Sequence, residues 1–358
     1  MNRLTTTLLA LLFCAANAVA QNLVWDIAEL DSLRNLPQDK QTKDMLYRAR
    51  QAAKKDPVAV TDKEQTRSGN KHNFEALSIY YWPNPDNPDG PYIVKDGQYN
   101  PEYKLYDLPR LTSLKDNLAA LAKGYYLTQE QAFYDAYIRQ LDTWFINKET
   151  RMNPDFEYNQ FIPGRNNGKG CSAGLIDAYN FVEVIESMRL MDSVNPIGRK
   201  RTKAIKKWFK SFSKWMQKSE IGQGEARATN NHGTAYDVTL FYFSQYTGDK
   251  KICKKILKDF ATRRILPQIN DDGKQPEELK RTKAFHYSIY NLEHLVDFCK
   301  MQKTLGNDFL NNEGKRILSA LEYLQQFVGR KQDFPYQEIG DWNAAEQKLN
   351  KLLRAVGK

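Results

Sequence analysis

The chain has 358 residues, with 53 Lys and Arg against 43 Asp and Glu, and its formal net charge at pH 7 is +10. That length allows one large domain or two smaller ones. The cysteines Cys171, Cys253 and Cys299 lie far apart with no CxxC spacing, which excludes a disulfide scaffold and a zinc-ribbon site.

The first twenty residues have the form of a secretory signal. Arg3 supplies a positive charge, an apolar run follows from residue 8 onward, and Ala18-Val19-Ala20 has the small-x-small pattern of a cleavage site. The apolar run is shorter than the roughly 20 residues that a membrane-spanning helix needs. We predict cleavage after Ala20, a periplasmic mature protein that begins at Gln21, and no transmembrane segment.

The net positive charge limits the acidic partners of an exported protein to nucleic acid, an anionic membrane surface or an anionic polysaccharide. Lysines are concentrated near residues 200–218 and 249–258, where a solvated helix face is the simpler interpretation. No basic recognition helix or known motif supports nucleic-acid binding. Charge alone therefore permits a polyanionic substrate without requiring one.

In chain order, the first element predicted after the signal is a hairpin-like stretch over residues 78–100, and strand signals elsewhere are weak. From about residue 110 onward, apolar side chains recur three and four residues apart, which predicts helices. Four such stripes cover residues 114–125, 133–145, 176–191 and 205–216. Further helices are predicted over residues 236–246, 251–263, 284–303, 309–328 and 343–356.

Many amphipathic helices joined by alternating short and long loops predict an all-α fold, an (α/α) toroid or barrel of helical hairpins. In such a fold the long loops collect at one end and form a substrate groove. No repeat of fixed period and no linker rich in Pro, Gly or Ser is visible. We therefore predict a single domain over residues 21–358.

A polar run, Asn230-Asn231-His232-Gly233, lies directly before one predicted helix. Amides and an imidazole beside a helix N-terminus are suited to binding an oxyanion. A capping Asn with a structural His explains the run equally well.

A second polar run, from Lys280-Arg281 to His286-Tyr287, contains a guanidinium, an imidazole and a phenol where another helix begins. Arg is the side chain best suited to bind a carboxylate through two parallel hydrogen bonds. A salt-bridged Arg with a half-buried Tyr is the alternative.

Two further stretches have side chains that are typical of sugar subsites. Tyr81 and Trp82 offer aromatic faces near polar turns, and Asn159, Gln160 and Arg165 offer hydrogen-bond donors. Packed loops of the same composition are equally common.

Taken together, these runs resemble the alginate lyase superfamily over roughly residues 70–330. The matching pieces are Tyr81-Trp82-Pro83-Asn84-Pro85, Asp96-Gly97 with Asn100-Pro101-Glu102, Arg151-Met152-Asn153-Pro154, residues 230–237, residues 278–282 and residues 287–292. Each piece alone is weak, but six in order are specific. The resemblance is closest to polysaccharide lyase families five and thirty-eight. It implies an (α/α) barrel, β-elimination on mannuronan, mixed alginate or glucuronan, and no obligatory metal or other cofactor.

By this resemblance, Asn231, His232 and Arg281 surround the uronate carboxylate, and Tyr287 transfers the proton. β-Elimination removes a weakly acidic C5 proton, so the carboxylate must first be neutralised and the enolate stabilised. In mannuronate and glucuronate the C5 hydrogen and the C4 oxygen lie on one side, and one Tyr can serve as base and then acid. In guluronate they lie on opposite sides, and His232 would be the base. A free Tyr has a pKa near 10, so a cation such as Arg281 is expected to lower it.

Adjacent residues leave alternatives open. Either Lys280 or Arg281, and either Asn230 or Asn231, could hold the carboxylate. His286 is a lesser candidate, because neighbouring residues on a helix point apart.

Two rival functions remain at this level. A glycoside hydrolase on the same barrel would use Glu225 and Asp237 as its carboxylates, and it would give no C4–C5 double bond. A non-catalytic polysaccharide-binding protein would tolerate Tyr287→Phe. The sequence leaves open which uronate polymer is cut, endo or exo action, and the oligomeric state.

Overall fold

A computed structural model describes residues 21–358; the predicted signal peptide lies outside the described residues. The helices of the first half are α1 (Ile27–Arg34), α2 (Lys40–Ala53), α3 (Leu108–Thr128), α4 (Gln131–Leu141) and α5 (Asn180–Val194). They are followed by α6 (Arg199–Lys218), α7 (Glu220–Ala226), α8 (Asn231–Thr247), α9 (Lys250–Phe260) and α10 (Pro276–Leu279). The last are α11 (Ala284–Thr304), α12 (Phe309–Asn312), α13 (Lys315–Gln325) and α14 (Trp342–Ala355). No helix among these residues is long and apolar enough to cross a bilayer.

Four short strands complete the described chain: β1 (Glu75–Leu77), β2 (Tyr81–Trp82), β3 (Ile93–Val94) and β4 (Tyr158–Phe161). The antiparallel pair of β2 with β3 confirms the predicted hairpin. The parallel pair of β1 with β4 was not predicted, because strands this short have no readable alternation.

The helices form an inner and an outer layer. Inner helices α5, α8 and α11 are buried around most of their circumference, whereas α6 and α9 bury only one apolar stripe. Both α6 and α9 pack on α8, and α8 packs beside α11. A helix that is apolar on one side only belongs at the surface of the fold. The all-α prediction, with paired inner and outer helices, is confirmed.

The helix predicted over residues 309–328 is broken into α12 and α13. Gly314 lies in the break, and a Cβ there would be 3.0 Å from the Cα of Leu310. Periodicity could not reveal the break, because both pieces keep an apolar face.

Aromatic rings fill the interface between the layers. Phe181 on α5 lies 5.9 Å from both Phe209 and Phe212 on α6, and Phe209 lies 4.9 Å from Phe243 on α8. Full burial of one such side chain stabilises the fold by about 1.5–3 kcal/mol. The aromatic side chains of the predicted helical stripes therefore form part of the core.

A buried carboxylate anchors the segment that follows the predicted cleavage site. Glu186 on α5 is fully buried and accepts hydrogen bonds from the backbone N–H groups of residues 23–25 at 3.0, 3.0 and 2.7 Å. The side chain of Asn22 adds a bond of 3.2 Å, and the hydroxyl of Tyr242 on α8 also donates to Glu186. One side chain thus joins the N-terminal segment to two inner helices.

Candidate active site

The first turn of α8 holds two of the candidate residues. Asn230 caps the helix by accepting a hydrogen bond from the backbone N–H of His232 at 3.2 Å. A Cβ at Gly233 would collide with the carbonyl oxygen of Ala228 and the guanidinium of Arg264. Only glycine therefore lets this turn approach its neighbours so closely.

Asn231 connects α8 to the segment that contains Arg281. It is buried, and both its backbone N–H and its side-chain Nδ2 donate to the carboxylate of Glu278, at 2.7 and 2.6 Å. Burial raises the pKa of Glu278 by more than these two bonds and the nearby cations lower it. The bond fixes the orientation of the amide and leaves the second N–H of Nδ2 for a ligand.

His232 is oriented by a carboxylate that lies on α7. Its Nδ1 is 2.7 Å from Oε1 of Glu225, which is buried. Burial lowers the pKa of His232, but the hydrogen bond and the charge of Glu225 outweigh it, so the pKa lies above the ordinary 6.5. With Nδ1 engaged, Nε2 is the nitrogen left to act on a substrate.

Arg281 is held by Asp96 from the loop that follows the hairpin. Its Nε and Nη2 bond to the two carboxylate oxygens at 3.1 and 2.6 Å, and Thr282 donates to the same carboxylate. The guanidinium lies 3.9 Å from the centre of the Tyr287 ring. This fork-to-fork pair fixes the plane of the guanidinium.

Tyr287 is hydrogen-bonded to Tyr80, with 2.7 Å between the two hydroxyl oxygens. Burial raises the pKa of Tyr287 to about 12, although the bond to Tyr80 and the charge of Arg281 both lower it. The expected net lowering is therefore wrong for the free protein. The main reason is burial of the phenol, which outweighs the lowering by Arg281, and the negative charge of Asp96 beside Arg281 raises the pKa of Tyr287 further.

Of the adjacent alternatives, Lys280 lies apart from this group. Its ammonium is exposed and bonded to Glu277 at 2.5 Å, so only Arg281 joins the cluster. His286 faces Glu338, with its Nδ1 at 3.2 Å from that carboxylate. Neighbouring residues do point apart on α11, as expected.

The predicted aromatic subsite residues lie on the β2–β3 hairpin. Trp82 donates its indole N–H to the carbonyl of Gln98 at 3.0 Å. The exposed guanidinium of Arg165 lies 5.5 Å from the centre of the Tyr81 ring. The hairpin and the loop after β4 therefore contact each other.

Asn159 and Gln160 on β4 lie at different depths. Asn159 is fully buried and bonded to the carbonyl of Gly174 at 2.6 Å, which removes it from direct contact with a substrate. Gln160 adopts a positive φ of 49° and donates to Asp177 at 3.0 Å. Asp177 also accepts from Asn159, so these three side chains form one network.

Comparison with known proteins identifies the family. A family model for alginate lyases matches residues 59–334, which is most of the chain. The chain belongs to the alginate lyase family. Its structure is similar to that of an alginate lyase from Bacteroides ovatus, with 37% identity, a TM-score of 0.89, and coverage of 94% of this chain and 92% of that one.

A second similar structure is that of alginate lyase A1-III from Sphingomonas species A1. It has a TM-score of 0.59 and 16% identity, over 95% of this chain and 87% of that one, so it supports the α/α toroid fold alone. No curated protein matched the chain. Membership of the family makes the protein a polysaccharide lyase, and it implies an anionic polysaccharide as substrate.

The glycoside hydrolase alternative is not favoured by this family or by the geometry. Asp237 is buried and bonded to Nε of Arg264 at 2.6 Å, so it is unavailable as a catalytic carboxylate. Glu225 is occupied by His232. The proposed pair therefore cannot flank a glycosidic bond.

Sequence reasoning missed the residues that support the cluster. Asp96 and Glu278 lie inside motifs that carry the family resemblance but were assigned no function, and Tyr80, which directly precedes Tyr81, was not a candidate. Their position is the signal that could have identified them, since Asp96 and Glu278 lie within matching motifs and Tyr80 lies directly before one. Among the described residues, no group of three or more His, Cys, Asp and Glu side chains could hold a metal ion.

Proposed function

We propose that this lyase cleaves a 1,4-linked polyuronate, mannuronate-rich alginate or glucuronan, by β-elimination to give 4,5-unsaturated uronate ends. One observation carries the proposal. Glu278 and Asp96 bring Asn231 and Arg281 to the same site as the hydroxyl of Tyr287. These are an amide, a guanidinium and a phenol, the groups that elimination beside a carboxylate requires.

Asn231 and Arg281 bind the carboxylate of the reacting uronate in this proposal. The bonds to Asp96 use Nε and Nη2 of Arg281, so Nη1 remains for the substrate. The free N–H of Asn231 and the N-terminus of α8 add partial positive charge. Neutralising the carboxylate makes the C5 proton more acidic and stabilises the enolate that forms.

Tyr287 moves the proton. Its phenolate takes the C5 proton, the C4–C5 double bond forms as the C4–O bond breaks, and the phenol returns the proton to the leaving oxygen. The guanidinium 3.9 Å from the ring supports ionisation of Tyr287. A single Tyr can serve as base and then acid in mannuronate and glucuronate, where the C5 hydrogen and the C4 oxygen lie on the same side of the ring. For guluronate, Nε2 of His232 is the candidate base.

The test is turnover of polymannuronate, polyguluronate, glucuronan and hyaluronan, followed by the ultraviolet absorbance of the unsaturated product. We expect absorbance on polymannuronate or glucuronan and a weaker signal on polyguluronate. Tyr287→Phe is the control and should produce almost none. Absence of the unsaturated product on every uronate polymer would contradict the proposal.

The periplasmic location is part of the same proposal. Arg3, the apolar run and the Ala18-Val19-Ala20 site support export with cleavage before Gln21. Cell fractionation and the intact mass of the purified protein test it. A mature protein that retains residues 1–20 would contradict it.

A further inference from the structure

The outer helices α6 and α9 carry a large net positive charge, and the rest of the molecule does not. Nine Lys and Arg and no acidic residue lie on α6, and five Lys with Asp259 lie on α9. Together these helices have a net charge of +13, whereas the whole chain has +10. Everything else therefore has a net charge of −3, and the positive field of the protein arises on one face.

Most of these cations have no structural partner. Arg201 is bonded to Asp142 at 2.6 Å, and the ammonium of Lys206 lies 5.2 Å from the centre of the Tyr246 ring. The other twelve are exposed, and none is ion-paired within residues 21–358. Repulsion among unpaired like charges opposes compact folding, so stability of the fold does not explain their concentration.

Five of the nine cations on α6 are ordered along one side of the helix. Lys203, Lys207, Lys210, Lys214 and Lys218 follow one another at spacings of four, three, four and four residues. At 1.5 Å per residue this row is about 22 Å long, with successive charges about 5–6 Å apart along the axis.

The last three lysines of the row line a groove between α6, the C-terminal end of α8 and the start of α9, with a volume of about 230 Å³. We call Lys210, Lys214 and Lys218 with the facing Ile252 the lysine groove. Asp249 also lines it, but its carboxylate caps α9 by accepting from the backbone N–H of Ile252 at 3.2 Å.

Both helices lead toward the element that orients His232. The C-terminal end of α6 is Lys218, and α7, which carries Glu225, begins two residues later. From the other side, Arg263 in the turn after α9 donates to the carbonyl of Ala226, the last residue of α7, at 3.3 Å. A polymer lying along the groove would therefore reach the catalytic end of the fold.

We propose that the lysine groove is an accessory binding surface for the polyuronate chain, separate from the residues that act on the scissile bond. This inference rests on the proposed function, since it takes its ligand from there. A polyuronate has one carboxylate on every ring, so a straight row of ammonium groups offers repeated counter-charges. The surface holds distant parts of a long chain near the site and does not alter the chemical step.

The experiment compares a long polymannuronate with a mannuronate tetrasaccharide. The tetrasaccharide is too short to reach the lysine groove while it is bound at the active site. Lys210, Lys214 and Lys218 are each changed to Glu in one triple variant. At low ionic strength its KM for the polymer should rise about five-fold or more, with kcat unchanged. KM and kcat for the tetrasaccharide should match the wild type, and the effect should disappear at about 1 M NaCl, where the Debye length is about 3 Å.

A matched control removes the same charge elsewhere. Lys43, Lys54 and Lys55 are exposed residues on or directly after α2, and changing all three to Glu should leave the polymer KM unchanged. An equal rise of the polymer KM in both triple variants would mean that only the net charge of the protein matters, and it would overturn the proposal. An unchanged polymer KM in the groove variant would also overturn it. Turnover of the tetrasaccharide separates these failures from failure of the proposed function.

Binding by the Tyr287→Phe protein distinguishes the polymer from a membrane. Polymannuronate should bind this protein, and the groove substitutions should weaken that binding. Vesicles of phosphatidylglycerol should bind without dependence on the groove. Groove-dependent binding to the vesicles, with none to polymannuronate, would overturn the proposal.

Discussion

At the residue scale, the two bonded phenols should differ in their effect on turnover. Tyr287→Phe keeps the ring next to Arg281 but removes the group that moves the proton, so kcat should fall by about 10²–10⁴-fold. Tyr80→Phe removes only the hydrogen-bond partner of Tyr287, and we expect a much smaller loss. Steady-state kinetics on polymannuronate measure both, and equal losses would contradict the assignment of proton transfer to Tyr287.

A histidine on α11 outside the catalytic cluster should make the fold sensitive to acid. His294 is fully buried, its Nδ1 donates to the carbonyl of Tyr290 at 2.7 Å, and its Nε2 has no partner among the described residues. Burial lowers its pKa from 6.5 to about 4. Between those values the unfolded chain binds a proton that the folded chain does not, so stability falls as pH falls.

The measurement is the free energy of unfolding at pH 7 and pH 4 for the wild type and for His294→Phe. The wild type should lose up to about 3 kcal/mol more than the variant over this range. Phe removes the titrating group and keeps an aromatic ring near Tyr179 and Tyr290. Parallel losses in the two proteins would show that His294 does not contribute.

At the element scale, the β2–β3 hairpin depends on close contact with the loop after β4. The backbone N–H of Tyr92 donates to the carbonyl of Pro163 at 3.1 Å. Gly164 has a φ of 79°, and a Cβ there would lie 2.6 Å from the Cα of Pro91. Gly164→Ala should push the hairpin away, and we expect a several-fold higher KM for the polymer from kinetics.

Gly168→Ala provides the matched control. Gly168 has the same φ of 79°, but a Cβ there meets nothing within 4 Å. Both variants have a similar backbone strain of about 1 kcal/mol, and only Gly164→Ala displaces the hairpin. If the two variants raise KM equally, strain in the loop and not the hairpin contact is responsible.

The sequence could predict the helical elements because period 3.6 is a local property. The inner helix α8 was predicted over residues 236–246, and in the structure it extends from Asn231 to Thr247, so the polar run forms its first turn instead of preceding it. The contacts of Asn231 with Glu278 and of Arg281 with Asp96 span 47 and 185 residues. Such pairings depend on how the elements pack, and no local pattern contains that information. The pKa of Tyr287 was mispredicted for the same reason, because its burial and the position of Asp96 are tertiary features.

At the scale of the whole molecule, two buried carboxylates and the half-buried Asp96 join distant parts of the chain. Glu278 joins α8 to α10, Asp96 joins the loop after the hairpin to the start of α11, and Glu186 joins the N-terminal segment to α5 and α8. A buried carboxylate is costly without partners, and each of these three accepts at least two hydrogen bonds. The first two shape the site, whereas the third secures the segment at residues 21–25.

The last of these links should contribute strongly to stability. Glu186→Ala leaves the buried or partly buried backbone N–H groups of residues 23–25 without an acceptor, so the free energy of unfolding should fall by about 3 kcal/mol or more. For a chain of this size that corresponds to a fall in Tm of roughly 4 °C or more, measured by calorimetry. Glu183→Ala on the same helix is the control, because Glu183 accepts one bond from the segment, from the indole N–H of Trp25 at 2.9 Å. We expect a clearly smaller fall for that variant, since the backbone of the segment stays bonded to Glu186; equal falls would mean that the segment is not held through its backbone.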